Sequence, residues 1–111
     1  MTDLAAALAT KLAALWRASR PVILERIDVL RITHQILVAN PDDAEARTRA
    51  REAAHKLSGI LGTFGLPHGS EIAAALEHRL QSDQPLTAAD LAANSEQIET
   101  LAAIIASKGE G

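Results

Sequence analysis

Histidine is the residue type in this sequence with the widest chemistry, and it occurs four times, as His34, His55, His68 and His78. An imidazole ring can act as a nucleophile, exchange protons near neutral pH and bind metal ions. The sequence has no cysteine, which excludes disulfides, thiolate zinc sites and cysteine nucleophiles. The chemistry open to this chain therefore depends on where each imidazole lies.

His55 is predicted to stand on the exposed side of a helix that follows Asp43 and runs to about Phe64. At about 100° per residue, His55 lies roughly opposite the middle of an apolar stripe. Gly59 and Gly62 share its side, although each costs a helix interior about 1 kcal/mol relative to alanine. They could let another molecule approach the imidazole, or they could mark a weak helix end. The apolar stripe consists of Ala46, Ala50, Ala53, Leu57, Ile60, Leu61 and Phe64.

The other three histidines are weaker candidates. His34 falls on the apolar stripe of the preceding helix and is predicted to be a hydrogen-bonded core histidine. His68 lies in the break after the helix of His55, and His78 lies near the end of the next helix, where a cation is mildly favourable. Glu52 and His55 have the Glu-x-x-His spacing of di-iron bundles, but there is one such pair and it points outward. No metal site is expected.

The elements that position His55 are predicted to be helices only, because no segment alternates strictly and Ala and Leu are strong helix formers. Ser19, Arg20 and Pro21 are interpreted as a break, with Pro21 in the first turn of a new helix. Short connections between helices favour antiparallel neighbours. The predicted fold is all-α, an antiparallel up-down four-helix bundle with an additional N-terminal helix. The five helical segments run over about 2–18 and 21–39, from after Asp43 to 64, from after Pro67 to 81, and over about 87–107.

Length and composition indicate one globular domain, 1–111, with its core bundle at about 21–107. Apolar residues make up 48% of the 111 residues and charged residues 23%, which is the usual balance for a folded protein. A net charge of −3 and two aromatic residues, Trp16 and Phe64, disfavour nucleic-acid binding. No apolar run approaches the roughly 20 residues of a membrane span. We therefore expect a cytoplasmic monomer that binds neither nucleic acid nor membrane.

The segment from Ala54 to Gly65, AHKLSGILGTFG, resembles the signature of histidine-containing phosphotransfer (HPt) domains. His55, Leu57, Gly59 and Gly65 match the family's pattern of a histidine, an apolar residue two positions on, a glycine four positions on and a further glycine near the helix end. The downstream segment Ile72–Glu77, IAAALE, is similar to the family's next helix, which often ends in Leu-Glu. In length and helix order the resemblance covers residues 21–107.

The resemblance implies a phosphorelay carrier rather than a turnover enzyme. It makes His55 the phosphoacceptor, which exchanges its phosphoryl group with the aspartate of a response-regulator receiver domain. It also implies a receiver domain, a hybrid histidine kinase or both as partners. Because Mg²⁺ and the acidic pocket belong to the receiver, no cofactor or metal is expected on this chain. A neutral ring nitrogen offers a lone pair directly, so no general base is required.

One departure from the family leaves an alternative open. The family commonly has a lysine three residues after the histidine, where this chain has Ser58. Serine can donate a hydrogen bond but brings no charge to a phosphoryl group. The chain could therefore be an HPt-like scaffold that binds a receiver or kinase without carrying phosphate. A structural bundle with an accidental match is the third possibility.

Residues around His55 are candidates to support the phosphoryl group or the ring. Arg51, one turn earlier, and Lys56 could supply positive charge, and Ser58 a hydrogen bond. Glu52 could orient the imidazole or be an ordinary solvated residue. Residues 44–58 carry four basic and two acidic side chains, which form either a steering patch for an acidic partner or an ordinary charged face. The residues expected to dock the partner are Thr48, Gly59 and Gly62.

The helix predicted at 21–39 has more apolar surface than one core stripe requires. Val22, Val29 and Ile36 form a second stripe beside the first. This surface is expected to pack under the N-terminal helix, with partner docking near His55 as the alternative.

Overall fold

A computed structural model describes residues 2–109, and all regular structure within that range is helical. The prediction of an all-α four-helix bundle is confirmed. Within the described range, no helix combines the length and the hydropathy that a membrane span requires. The four helices are α1 (Thr2–Ala39), α2 (Ala44–Thr63), α3 (Pro67–Gln81) and α4 (Ala88–Lys108).

The first helix is continuous through Pro21, so the predicted break at residues 19–21 and the separate N-terminal helix are wrong. Proline removes one backbone N–H from a helix interior, but the buried residues on either side of it stay in phase. Trp16 and Ile23 are both fully buried and lie seven residues apart, which is close to two helical turns. The 38 residues of α1 correspond to about 57 Å of helix, which agrees with the 55 Å long axis of the molecule.

The helices pack as a ring in which each contacts the next and α1 also contacts α4. Contacts between α2 and α3 show that the two run antiparallel. Ser58 of α2 meets Ser70 near the start of α3, whereas Arg47 near the start of α2 donates to the carbonyl oxygen of Leu80 near the end of α3 at 2.8 Å. This antiparallel pairing determines which α3 side chains lie beside the middle of α2.

Trp16 joins three helices at one end of the bundle. Its indole Nε1 donates to the carbonyl oxygen of Gly109 at 2.7 Å, and its ring meets Phe64 edge to face at 5.3 Å between centroids. The Lys108 ammonium lies 5.2 Å from the indole centroid, a cation–π distance. The buried core therefore begins at Trp16, ahead of the expected start at residue 21.

Helix α4 begins with a capping box formed by Thr87 and Asp90. The Thr87 hydroxyl accepts from the backbone N–H of Asp90 at 3.1 Å, and the Asp90 carboxylate accepts from the Thr87 N–H at 2.9 Å. Hydrogen bonds from the backbone N–H and the side chain of Thr87 hold the pKa of the Asp90 carboxyl group below its ordinary value. The cap fixes the start of α4 after the 82–87 connection.

His34 differs from its predicted role as a hydrogen-bonded core residue. It is half-buried, and its Nδ1 atom is buried without a hydrogen-bond partner among residues 2–109. Burial lowers the pKa of His34. The buried polar residue of α1 is the neighbouring Thr33, whose hydroxyl donates to the Val29 carbonyl oxygen at 2.7 Å. The core-facing line of α1 thus passes one residue away from His34.

Candidate functional site

His55 stands on the outer side of α2, as the apolar periodicity predicts. Its side chain is 72% exposed, while Ala53, Ala54 and Leu57 beside it are buried. Because those neighbours pack into the bundle, the helix holds the Cα of His55 firmly while its ring projects into solvent. The position combines a rigid base with open access to the imidazole.

Glu77 of α3 provides the hydrogen-bond partner of the ring. Its Oε2 atom lies 2.8 Å from Nδ1 of His55, and its side chain is 22% exposed. An ionised carboxylate can only accept hydrogen bonds, so this contact selects the tautomer with the proton on Nδ1. The lone pair is then on Nε2, the nitrogen farther from the backbone. The antiparallel register of α3 brings Glu77 here, with the buried Leu76 anchoring the preceding position.

The hydrogen bond to the ring that was considered for Glu52 is made by Glu77 instead. Glu52 is exposed, and it lines a shallow depression of about 200 Å³ with Arg51, His55, Lys56 and Glu77. Sequence reasoning missed Glu77 because it lies 22 positions from His55 in the chain. A helical-spacing argument reaches one turn along the same helix, whereas this contact crosses between two helices.

Ser58 makes contacts with α3. Its hydroxyl donates to the carbonyl oxygen of Ser70 at 3.2 Å, and the Ser70 hydroxyl donates to the carbonyl oxygen of Ser58 at 2.7 Å. The Ser58 hydroxyl is thus engaged in a helix-packing contact, and its support of a phosphoryl group stays a prediction. The contact follows from the position of Ser58, about 100° around the helix from Leu57, on the side that α3 covers.

The two glycines of α2 assigned to partner docking have different surroundings. A Cβ atom added at Gly59 would meet nothing within 4 Å, whereas one at Gly62 would lie 3.3 Å from the Ser70 hydroxyl oxygen. The missing side chain of Gly62 therefore serves the approach of α3, and its expected docking role has an alternative explanation within the fold. The missing side chain at Gly59 has no intramolecular explanation.

The basic side chains predicted around His55 divide into paired and unpaired groups. Arg47 donates to the carbonyl oxygens of Leu80, Ser82 and Gln84 at the end of α3. Arg49 forms an ion pair with Glu45 at 2.9 Å. Within residues 2–109, Arg51 and Lys56 form no ion pair. These two cations are the ones free to meet an anionic partner.

Thr48 lies one to two turns from His55 on the exposed surface of α2. It lines a depression of about 330 Å³ with Arg47, Arg51 and residues 80–83. The structure thus places Thr48 and Arg51 on one continuous surface with His55. No group of three His, Asp or Glu side chains in the described range is arranged to hold a metal ion.

Comparison with known protein families identifies the chain. The model of the Hpt domain family matches residues 1–107. This chain belongs to the Hpt domain family. The Hpt domain is 35% identical over 65 residues to Protein RcaC of Microchaete diplosiphon, a match that covers 59% of this chain and 10% of that protein. No solved structure matches this chain. Family membership supports a role in phosphorelay signalling for the Hpt domain described here.

Proposed function

We propose that this Hpt domain carries a phosphoryl group on Nε2 of His55 and exchanges it with the aspartate of a response-regulator receiver domain. The observation that carries the proposal is the combination of a 72% exposed imidazole with a carboxylate 2.8 Å from its Nδ1. The contact leaves Nε2 as the nucleophilic nitrogen and directs it away from the helix. A partner can therefore reach the reacting atom without any movement of the bundle.

Phosphoryl transfer to His55 requires only the neutral imidazole and the phosphorylated aspartate of the receiver. The Nε2 lone pair forms the new N–P bond while the P–O bond to the receiver aspartate breaks, and the aspartate leaves as a carboxylate. The phosphorylated ring retains the Nδ1 proton and carries positive charge, which the Glu77 carboxylate stabilises by a charge-assisted hydrogen bond. No proton has to leave the ring during the forward step. The reverse step restores the neutral imidazole.

Positioning and charge stabilisation account for most catalysis of phosphoryl transfer. Arg51 and Lys56 line the depression that contains His55 and can offset the negative charge of the phosphoryl group. They would act in place of the family's lysine at the position of Ser58. We infer that the receiver supplies Mg²⁺, because the acidic pocket lies on that partner.

Gly59 is the centre of the proposed docking surface. It lies one turn after His55, and open space surrounds the place where its side chain would be. A receiver loop can thus approach the α2 backbone next to the imidazole. The domain would act as a carrier that is phosphorylated and dephosphorylated by its partners and performs no reaction alone.

The test is phosphoryl transfer from a phosphorylated receiver domain to the full chain. We expect an acid-labile, alkali-stable phosphoryl group on the wild-type chain and none on His55→Gln. His34→Gln is the matched control, because His34 is half-buried and distant in sequence; it should accept phosphate normally. Transfer that survives in His55→Gln would remove this residue from the mechanism.

Glu77 is a positioning residue in this proposal, and its test separates orientation from folding. Glu77→Ala should slow transfer by about tenfold or more, since small losses of alignment cost this much. Glu77→Gln, which keeps a carbonyl acceptor for Nδ1–H, should recover part of the rate. Equal rates in both variants and in the wild type would contradict the orienting role.

The contacts of Ser58 favour a second function, that of a binding scaffold. Ser58 is engaged with Ser70, so no cation occupies the position of the family's lysine. The domain could then bind a receiver or a histidine kinase as a scaffold without carrying phosphate. Binding of a receiver with no phosphoryl transfer to His55 would support this function over the carrier function.

A further inference from the structure

The large apolar side chains that remain exposed in the described structure all belong to α1. Leu4 is 71% exposed and Leu8 54%, and the others lie between 38% and 59%. An exposed apolar surface of this length is unusual in a protein that functions alone. The full set is Leu4, Leu8, Leu12, Leu15, Val22, Leu24, Ile32, Ile36 and Val38.

Five apolar residues of α1 repeat at intervals of seven, and we name them the heptad stripe: Leu8, Leu15, Val22, Val29 and Ile36. Val29 is partly buried against the core, while the other four are 40% to 54% exposed. A strict seven-residue apolar repeat is typical of a helix that coils around another helix. The repeat is continuous because α1 does not break at Pro21.

A second series on α1 also repeats at intervals of seven and lies next to the heptad stripe. It consists of Leu4, Lys11, Ala18, Glu25 and Ile32. Along the chain these five residues are apolar, basic, small, acidic and apolar. In a copy that runs in the opposite direction, the acidic residue therefore takes the place of the basic one. Two copies of α1 aligned in parallel would place Lys11 against Lys11 and Glu25 against Glu25. Antiparallel copies in which Leu8 faces Ile32 would place Lys11 opposite Val29, about one helical turn along the second copy from its Glu25.

In place of the monomer expected from the sequence, we propose that the heptad stripe binds a second copy of this chain, with the two α1 helices antiparallel. Antiparallel helices pair one series with the other, so Leu8 would face Ile32 of the second copy and Ile36 would face Leu4. The smallest side chain, Ala18, would face Val22 at the centre. The interface is self-complementary, as a two-fold symmetric dimer requires.

The available area agrees with a dimer of modest stability. A strip about 57 Å long and roughly 10 Å wide, one helix diameter, covers nearly 600 Å² per copy. Both copies together would bury about 1,100 to 1,200 Å², at or just below the lower limit of the range for specific stable interfaces. A monomer–dimer equilibrium that depends on protein concentration is the expected behaviour.

The dimer would leave the imidazole of His55 accessible. The stripe lies where α1 meets α2, since Val29 shares a depression of about 370 Å³ with Arg49, Glu52 and Lys56. Glu52 and Lys56 also line the depression of His55, but the imidazole lies towards α3, where it contacts Glu77. The inference is therefore independent of whether His55 carries phosphate.

Sedimentation of the full chain over a range of concentrations tests the proposal. We expect a mass that rises from one copy towards two. Val22→Glu, in the heptad stripe, should weaken dimerisation by tenfold or more. Val38→Glu is the matched control, because Val38 is also exposed on α1, at 57%, but lies outside both series. A single-copy mass at all concentrations would overturn the proposal.

Charge exchange tests the direction of pairing. In the antiparallel dimer, Lys11→Glu alone should weaken association, and the double variant Lys11→Glu with Glu25→Lys should restore it. In a parallel dimer the single variant would only exchange one like-charged pair for another. Unchanged association of Lys11→Glu would therefore overturn the antiparallel arrangement.

Cross-linking gives an independent reading because the natural chain has no cysteine. A mixture of Leu4→Cys and Ile36→Cys chains should form mixed disulfide dimers on mild oxidation, and Leu4→Cys alone should not. Efficient cross-linking of Leu4→Cys alone would contradict the proposal. So would a monomeric chain whose Val22→Glu variant loses receiver binding, since that result would assign the stripe to the receiver.

Discussion

The outer and α3-facing sides of α2 use similar residue types for different purposes. On the outer side, His55 projects into solvent and Gly59 has open space around it. On the side facing α3, Ser58 and Ser70 exchange hydrogen bonds, and Gly62 leaves room for the Ser70 hydroxyl. A glycine on the α3-facing side is explained by packing within the chain. No contact within the described chain accounts for the glycine on the outer side.

The contrast shows how a helix can be assigned a functional face without any bound ligand. A side chain that the fold requires has contacts that account for it. Gly59 costs helix stability and gains no contact in return, because an exposed interior glycine is about 1 kcal/mol less favourable than alanine. The unexplained residue lies one turn from His55, so the imidazole and the bare backbone form one surface.

The largest effect is expected from placing a side chain at Gly59, on the outer side of α2. Gly59→Leu should reduce phosphoryl transfer from a receiver by roughly tenfold or more, because displaced reactants lose alignment. The same variant should unfold at an equal or higher temperature, since leucine favours helix. Transfer rates and thermal melts of one preparation check both statements. A normal rate of phosphoryl transfer in this variant would contradict the docking role proposed for Gly59.

The reciprocal change on the α3-facing side should have the opposite outcome. Gly62→Leu forces a side chain against Ser70, where even a Cβ atom would lie at 3.3 Å. Overpacking of this kind costs typically 1–3 kcal/mol, so the denaturation midpoint should fall. The phosphoryl transfer rate per folded molecule should change little. A variant that folds normally but fails in transfer would return Gly62 to the docking surface.

A smaller loss of stability is expected from Ser70→Ala. The variant removes the 2.7 Å hydrogen bond to the Ser58 carbonyl oxygen, which should cost about 1 kcal/mol in unfolding free energy. Chemical denaturation measures the loss. Thr63→Ala serves as the control, because its hydroxyl bonds only the carbonyl oxygen of Gly59 within α2. A similar loss in both variants would show that the contact with α3 has no special role.

The smallest effect concerns His34, the half-buried histidine that contrasts with exposed His55. Burial lowers the pKa of His34 from 6.5, so the unfolded chain binds a proton more readily than the folded one. The stability that this residue contributes is complete above about pH 6.5 and is lost as the pH falls below it. His34→Leu should lose less stability than the wild type between pH 7.5 and 5.5. Equal losses in thermal melts would show that His34 is not the titrating group.

The features of the fold that depend on residues close together in the chain could be predicted from the sequence. The turns at 40–43, 64–66 and 82–87, the capping box at Thr87 and the exposure of His55 follow from residues within a few positions of each other. Each is decided by helix geometry or by a single cap. These features could be read from the chain before its tertiary structure was known.

The predictions that failed depend on contacts between distant residues. Proline is common in the first turn of a helix, so Pro21 predicted a helix start, but burial of Trp16 and Ile23 on one line keeps α1 continuous. The pairing of His55 with Glu77 follows from the register of α3 against α2. No spacing rule within one helix contains that information.

The single tryptophan of the chain gives the molecule an intrinsic fluorescent reporter. The Trp16 indole is fully shielded from water and hydrogen-bonded to the end of α4. Its emission should shift to longer wavelength when α4 detaches from α1. Signalling partners that bind at His55 would leave the colour of this emission unchanged, so optical titrations can distinguish fraying of the chain ends from docking.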